Sequence, residues 1–455
     1  VVYVVVCADP GDPSEEEIRK SFSPEAPSPG RESPTTVTAV LARAARSFLV
    51  RRSGAWSVVA GYPWFLEWGR DALVAARGLI ALGWFSEVES LLRLYAQLEE
   101  NGTLPNMLLG DRGGNRDTSD APLWFGLACE EFACACGAGG GSGDNNHPDK
   151  STGWFYDQKI DPTGRSMADV LRSVATLYLT GTVNGIKVDL STGLVWSPGH
   201  FTWMDTNFPA CTPREGYPIE IQALWVRLLR QLDKLGIPAT VEPWGKLADR
   251  ALESIRRLDW LKTKGWFADV LLASHNQSAN EARPDNALRS NCLVPIALGV
   301  LGGPEARQCV AAAQKHLLVP VGVRSLAPLP VDPPLPIYGP GGRLLNDPHH
   351  PYWGRYEGDE DTRRKPAYHN GTAWVWTLPV FCEALARAWD FDPGAVSAAT
   401  AYLLSAKRLL SEECIGQLPE IMDGDTPHVV RGCDAQAWSV TETLRVLKLL
   451  QAGGR

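Results

Sequence analysis

Twelve segments of this chain carry apolar residues at i, i+3 and i+4, and the links between them alternate between tight turns and long polar loops. The segments lie at 37–50, 71–83, 86–100, 121–134, 167–180, 218–235, 240–258, 288–301, 304–317, 372–390, 394–411 and 436–451. In the sixth, Ile221, Leu224, Trp225, Leu228, Leu229, Leu232 and Leu235 follow Glu220 on one face, and Gly236 with Pro238 supply the stop. The long links are 101–120, 136–166, 181–217, 260–287, 320–370 and 412–435, and apart from 136–166 they recur at every second connection. Loops beyond about 15 residues without structure of their own are uncommon unless they carry function. Count and spacing therefore predict an all-α chain, an (α/α)6 toroid of six helical hairpins with its long loops gathered at one end around a pocket.

The first residues, VVYVVVCADP, are too short to span a bilayer and lack the basic start of a signal peptide. They read as a truncated β-strand, the remnant of a preceding domain. Residues 11–36 are rich in Pro, Ser and Glu and read as a linker, which puts the remnant and linker at 1–36 and the helical domain at 37–455. A chain that opens on Val rather than Met is expected to begin partway through a longer protein. The Gly-rich run GAGGGSGDNN inside 136–166 reads as a mobile insertion.

The formal net charge of -8 argues against nucleic acid or an anionic membrane surface as partner. Seventeen tryptophans, several beside Asp, Arg or Asn, suit a cleft that stacks flat apolar faces and hydrogen-bonds polar edges. Sugars have that dual character. Ten cysteines show no CxxC pair and no paired-His spacing, so neither a zinc site nor a disulfide scaffold is indicated, and a cytoplasmic location fits. No GxSxG, no GxGxxG after a strand and no GxxxxGK[ST] is present, and neither metal nor cofactor is expected.

The residues able to carry chemistry lie in the long loops. Asp205 follows Trp203 in a Pro/Gly-broken stretch, FTWMDTNFPACTPREGYP, which presents a carboxylate beside a large aromatic. Taken alone, Asp205 reads as a turn or cap residue and Trp203 as packing. Trp68-Gly69-Arg70-Asp71 opens the second helix, where Asp71 is either an N-cap or, with Arg70, a charge-assisted holder of sugar hydroxyls. Asn106 and Asp120 sit in the next polar loop, and Asp120 before Pro122 reads as a helix cap. His369 has no second ligand at metal spacing. Glu420 is a second loop carboxylate, more than two hundred residues after Asp205. Two such groups in a Trp-lined cleft suit glycoside hydrolysis, one protonated acid serving the leaving oxygen and one carboxylate activating water. An inverting pair would stand roughly 6.5–9.5 Å apart.

Eight ordered motifs, AGYPWFLEWGRD, LPNML, SDAPLWF, FTWMD, TPREGYPIEIQALW, YHNGTAWVW, LPEIMDGDTPH and QAWSVTETLR, resemble the amylo-α-1,6-glucosidase (C-terminal) region of glycogen debranching enzymes. The likeness runs from about residue 38 to the end. It implies an (α/α)6 catalytic domain that removes α-1,6-linked glucose stubs from glycogen or limit dextrin with inversion. On matching positions it implies Asp205 as general acid and Glu420 as general base, with Trp68, Arg70 and Asp71 around the terminal glucose. Motif position and residue type place Asn106, Asp120, Trp203, Arg214, Glu220, His369, Trp376 and Gln436 in the same pocket. Departures are Asn370 where bacterial relatives carry glutamine, Val375 between the tryptophans, and the insertion at 137–165. The chain has no room for the transferase barrel of the bifunctional enzymes. A glucoamylase- or trehalase-like exo-α-glucosidase would share the carboxylate pair, and a non-catalytic glucan-binding module would share the tryptophans.

Overall fold

The computed structural model describes residues 36–52, 54–109, 112–138 and 153–453. The expected strand remnant, the linker up to residue 35 and positions 139–152 of the insertion lie outside the described residues. Twelve main helices answer the twelve periodic segments: α1 (Val37–Arg46), α2 (Gly69–Leu82), α3 (Phe85–Gln97), α4 (Ala121–Ala138), α5 (Met167–Thr180), α6 (Ile219–Lys234), α7 (Trp244–Leu258), α8 (Val294–Ala297), α9 (Gly303–His316), α10 (Thr377–Ala388), α11 (Pro393–Leu404) and α12 (Ala437–Gln451). Two further short helices, Gly153–Asp157 and Lys365–Tyr368, lie in the links between them.

The ends of these helices follow local chemistry. Thr36 caps α1 by accepting the Ala39 amide at 3.2 Å. Ser166 and Asp169 form a reciprocal capping box at the start of α5. Gly83 closes α2 at φ +79, its amide and that of Trp84 returning to the Ile80 and Leu79 carbonyls.

Six helices touch in a closed cycle: α2 packs on α4, α4 on α6, α6 on α8, α8 on α10, α10 on α12, and α12 back on α2. The closing contact is tight, since a Cβ on Gly78 of α2 would lie 2.4 Å from the Thr441 carbonyl oxygen of α12. The remaining main helices pack against this ring. One such helix separates consecutive ring helices along the chain, so the long loops that precede α2, α4, α6, α8, α10 and α12 bring their N-terminal ends together.

Several expectations need correction. The segment 288–301 is a 3-10 turn, Ser290–Leu293, followed by the single turn of α8. Pro295 lacks the amide hydrogen a longer helix would use, and Gly299 at φ +69 ends it. Residues 372–376 do not begin α10; Ala373–Trp374 is a strand, held on both sides by neighbours. Likewise α1 stops at Arg46, because Leu49–Arg52 pairs with Ala55–Val58. The chain is helix-rich but not purely α. Its largest sheet has five short antiparallel strands in the order Leu318–Val319, Gly322–Arg324, Ala373–Trp374, Ile421–Met422 and Val430–Arg431. Strands of two or three residues leave no periodicity to read. Yet this sheet ties the 412–435 loop to the 320–376 loop, and so sets Glu420 beside Trp374. Among the described residues, no helix is long and apolar enough to cross a membrane.

Candidate active site

The turn into α2 shows how tightly the loop end is built. Gly69 donates to the Asn106 carbonyl at 2.9 Å, and a Cβ there would stand 2.5 Å from the Pro105 carbonyl oxygen, so the Trp68–Asp71 element needs glycine. Asp71 is not an N-cap. Trp68 occupies that position without a side-chain cap bond, and Asp71 is the third helical residue. Its carboxylate instead accepts from Gln436 Nε2 at 3.0 Å, linking α2 to the start of α12.

Arg70 is buried and gripped on one edge by Asp120, Nε to Oδ2 at 2.5 Å. Its other edge reaches Asp205 Oδ2 at 3.4 Å, and its Nη2 has no protein partner. Asp120 does hold the cap position of α4, its carbonyl accepting the Trp124 amide, but its side chain is turned to Arg70; Thr118 donates to its second oxygen at 2.6 Å, which completes a brace behind the arginine.

These groups surround a cavity of about 140 Å³. Eight of the expected residues line it: Trp68, Arg70, Asp71, Trp203, Asp205, His369, Glu420 and Gln436. Phe65, Tyr368, Trp374 and Trp438, which the sequence does not single out, line it as well. Larger hollows exist, one of about 290 Å³ beside Asp189 and His275 and one of about 710 Å³ near Glu131 and Glu383. Their carboxylates are spoken for: Ser191 and Ser278 hold Asp189, and Arg77 and Arg445 hold the two glutamates.

The carboxyls in the small cavity are different. Burial pushes Glu420 up to about 7, against the opposing donors Tyr368 hydroxyl and Cys433 amide. Burial also lifts Asp71 to about 7; the Arg70 guanidinium opposes this, and the like charges of Glu420 and Asp205 add to it. Asp205 is raised too, again by burial first and against Arg70. With Glu420 and Asp71 each raised to about 7, the site retains protons near neutrality.

His369 is neutral, held well below its usual range by burial and by the nearby guanidiniums of Arg289, Arg70 and Arg214. Its Nδ1 meets the Thr206 hydroxyl at 2.6 Å, and its Nε2 is buried without a protein partner. The ring stacks on Trp374 at 5.2 Å and stands edge-on to Trp203. Among the described residues, no group of three or more His, Cys, Asp or Glu side chains is placed to hold a metal ion.

Five expected residues do not line the cavity. Arg214 is consumed by its own partners, Glu220 at 2.5 and 2.7 Å and Asp269 at 2.7 Å, and donates to Thr202. Arg214 and Glu220 thus brace the loop from beneath. Asp269 continues the brace through Asn291, which accepts from Trp203 Nε1 at 2.7 Å. Trp376 stacks behind Trp438 at 4.7 Å, Asn106 fixes the Gly69 turn, and Asp120 backs Arg70. Asn370 is structural as well, accepting from Arg289 and donating to the Cys211 and Pro366 carbonyls.

A family model described as amylo-α-1,6-glucosidase matches residues 43–445. Among solved structures, a GH63 mannosylglycerate hydrolase from Thermus thermophilus in complex with glucose matches at TM-score 0.56 and 13% identity, over 90% of this chain and 99% of that one. A glycosidase variant in complex with glucose matches at 0.57 and 13%, over 91% and 97%. The wild-type glycosidase matches at 0.58 and 12%, over the same shares. At such identities the structural likeness speaks for the fold alone, whereas the family model spans the helical domain and the loops that bear both carboxylates. The chain belongs to the amylo-α-1,6-glucosidase family, and with it to the glycoside hydrolases.

Proposed function

We propose that this chain removes α-1,6-linked glucose stubs from glycogen or a related branched α-glucan, with inversion, in an (α/α)6 toroid. The observation that carries the reading is the convergence of Asp205 and Glu420, from loops over two hundred residues apart, on one small cavity with Arg70 and Asp71. The closed cycle of six helices supports the toroid. A cavity of about 140 Å³ suits one terminal sugar rather than a threaded chain.

Asp205 acts as general acid and Glu420 as general base. Glu420 takes a proton from water as the water oxygen bonds to the anomeric carbon; the glycosidic C–O bond breaks, and Asp205 gives its proton to the departing oxygen. Position supports this order. Asp205 keeps 32% of its side chain open, on the side where a leaving group can depart, whereas Glu420 is 3% exposed. The donors on both oxygens of Glu420 favour its carboxylate. Arg70 Nη2 and His369 Nε2, buried and unpartnered, supply polar atoms for sugar hydroxyls.

Proton NMR of the protein with a maltosaccharide bearing one α-1,6-glucosyl stub tests the reading. β-Glucose appears first with the wild type, and neither anomer with Asp205→Asn or Glu420→Gln. Early α-glucose overturns inversion, and release from maltose or trehalose but not from the stub assigns the chain to the exo-α-glucosidase alternative.

A further inference from the structure

Phe208 stands three residues beyond Asp205 with its side chain in solvent, 83% exposed. Its backbone is left-handed, φ +54, a conformation strained for a bulky residue. The surroundings hold it there. Asn207 Oδ1 accepts the Phe208 amide at 2.9 Å, and Lys365 Nζ donates to the Phe208 carbonyl at 3.0 Å. Lys365 is itself fixed by Asp361 at 2.6 Å. At the two ends of the loop, Thr206 bonds His369 and the Cys211 carbonyl accepts from Asn370. A rigid, strained loop that keeps an aromatic ring out of the core has given up that ring's burial for another contact.

The position says which contact. A general acid must sit beside the glycosidic oxygen, and beyond that oxygen lies the leaving chain. The cavity itself admits one sugar, so the glucose units that carry the stub must lie outside it. We infer that Phe208 is a leaving-group platform, its ring stacking on the α-1,4-linked glucan chain from which the terminal glucose is cut. The inference rests on the assignment of Asp205 as the acid. It makes Phe208 a specificity determinant for long glucan over short aglycones, with Lys365 as its positioning residue.

The test separates chain binding from chemistry. Calorimetry with linear maltoheptaose, the chain without a stub, compares the wild type with Phe208→Ala, Phe208→Trp and Val241→Ala. Val241 is an exposed residue in the turn between α6 and α7, at the other end of the ring. The Phe208→Ala protein binds about three- to tenfold more weakly, the size of one aromatic stacking contact, while the Trp and Val241 variants bind as the wild type does. Hydrolysis of α-glucosyl fluoride, whose leaving group touches no platform, is unchanged in Phe208→Ala. Equal maltoheptaose affinity in Phe208→Ala overturns the inference. So does an equal loss on the fluoride, which would make Phe208 a support for the acid loop, or a loss of self-association with glucan binding intact, which would make it a protein contact. Failure of the wild type to cut the stub substrate, with maltoheptaose binding still dependent on Phe208, overturns the proposed reaction and with it the leaving-group role, and leaves Phe208 as a glucan-binding contact.

Discussion

Tyr368 donates its hydroxyl directly to Glu420 Oε1, while the Cys433 amide holds Oε2 at 3.1 Å. Both donors favour the carboxylate, in a cavity whose burial favours the acid. The tyrosine comes from the Lys365–Tyr368 turn and the glutamate from the far end of the chain. The pairing of Ala373–Trp374 with Ile421–Met422 brings them together. Tyr368 is thus a positioning residue whose influence is read as a proton affinity.

Removing that donor has a directional consequence. In Tyr368→Phe the charged form of Glu420 loses a hydrogen bond and its proton is held more tightly. A hydrogen bond to a charged group contributes about 1.5–3 kcal/mol, so the acid limb of the kcat/KM profile, which in the proposed reaction needs Glu420 ionised as the base, moves up by about one to two pH units. The profile of the free protein, measured on the stub substrate, checks this. A limb that stays in place would mean that Tyr368 does not govern the base.

Gly69 carries a second expectation. An alanine there gains about 1 kcal/mol of helix propensity, but its Cβ meets the Pro105 carbonyl at 2.5 Å, and backbone cannot rotate away. The clash wins, at a net cost of about 1–3 kcal/mol. Because Arg70 and Asp71 follow immediately, Gly69→Ala also lowers kcat/KM, by about tenfold or more on the general sensitivity of positioned groups. Calorimetric unfolding together with steady-state rates reads both effects. Unchanged activity at a lowered Tm would show that the turn can shift without moving Arg70.

Much of this site is legible in the sequence, for a physical reason that also sets the limit. A carboxylate beside a tryptophan in a Pro/Gly-broken loop, as at Asp205, reads on its own as a turn or cap residue; the recurrence of such polar-aromatic clusters in the Trp68–Asp71 and Glu420 loops is what marks the site. Arg214 and Glu220 looked equally apt, yet an arginine facing a carboxylate reads the same whether a sugar or the other side chain lies between them; here they satisfy each other. Tyr368, Trp374 and Trp438 stand in the eight motifs but are not singled out there, because a strand as short as Ala373–Trp374 leaves no periodicity to tell which aromatic faces the cavity. Helix α8 was overdrawn because apolar periodicity runs through Pro295 and Gly299, which the backbone does not tolerate.

The raised Glu420 is also a statement about stability. Its proton is held to about pH 7 in the folded chain against an ordinary 4.5 in the unfolded one. The stabilisation is therefore complete below about pH 4.5, declines as pH climbs, and is lost above about 7; the difference is about 3 kcal/mol. Glutamine at this position stays neutral throughout and still offers a carbonyl to the Tyr368 hydroxyl. The Tm of Glu420→Gln should accordingly rise relative to wild type as pH goes from 4.5 to 7, and the gap should then level off. Asp71 and Asp205 are raised as well, so their contributions to stability carry the same sign. Thermal unfolding of the two proteins across pH 4–8 decides the matter, because titrations elsewhere cancel in the difference. A gap that ignores pH, or that closes as pH rises, would mean that Glu420 is already ionised in the free fold, and the proton the cavity retains would have to be sought on Asp71.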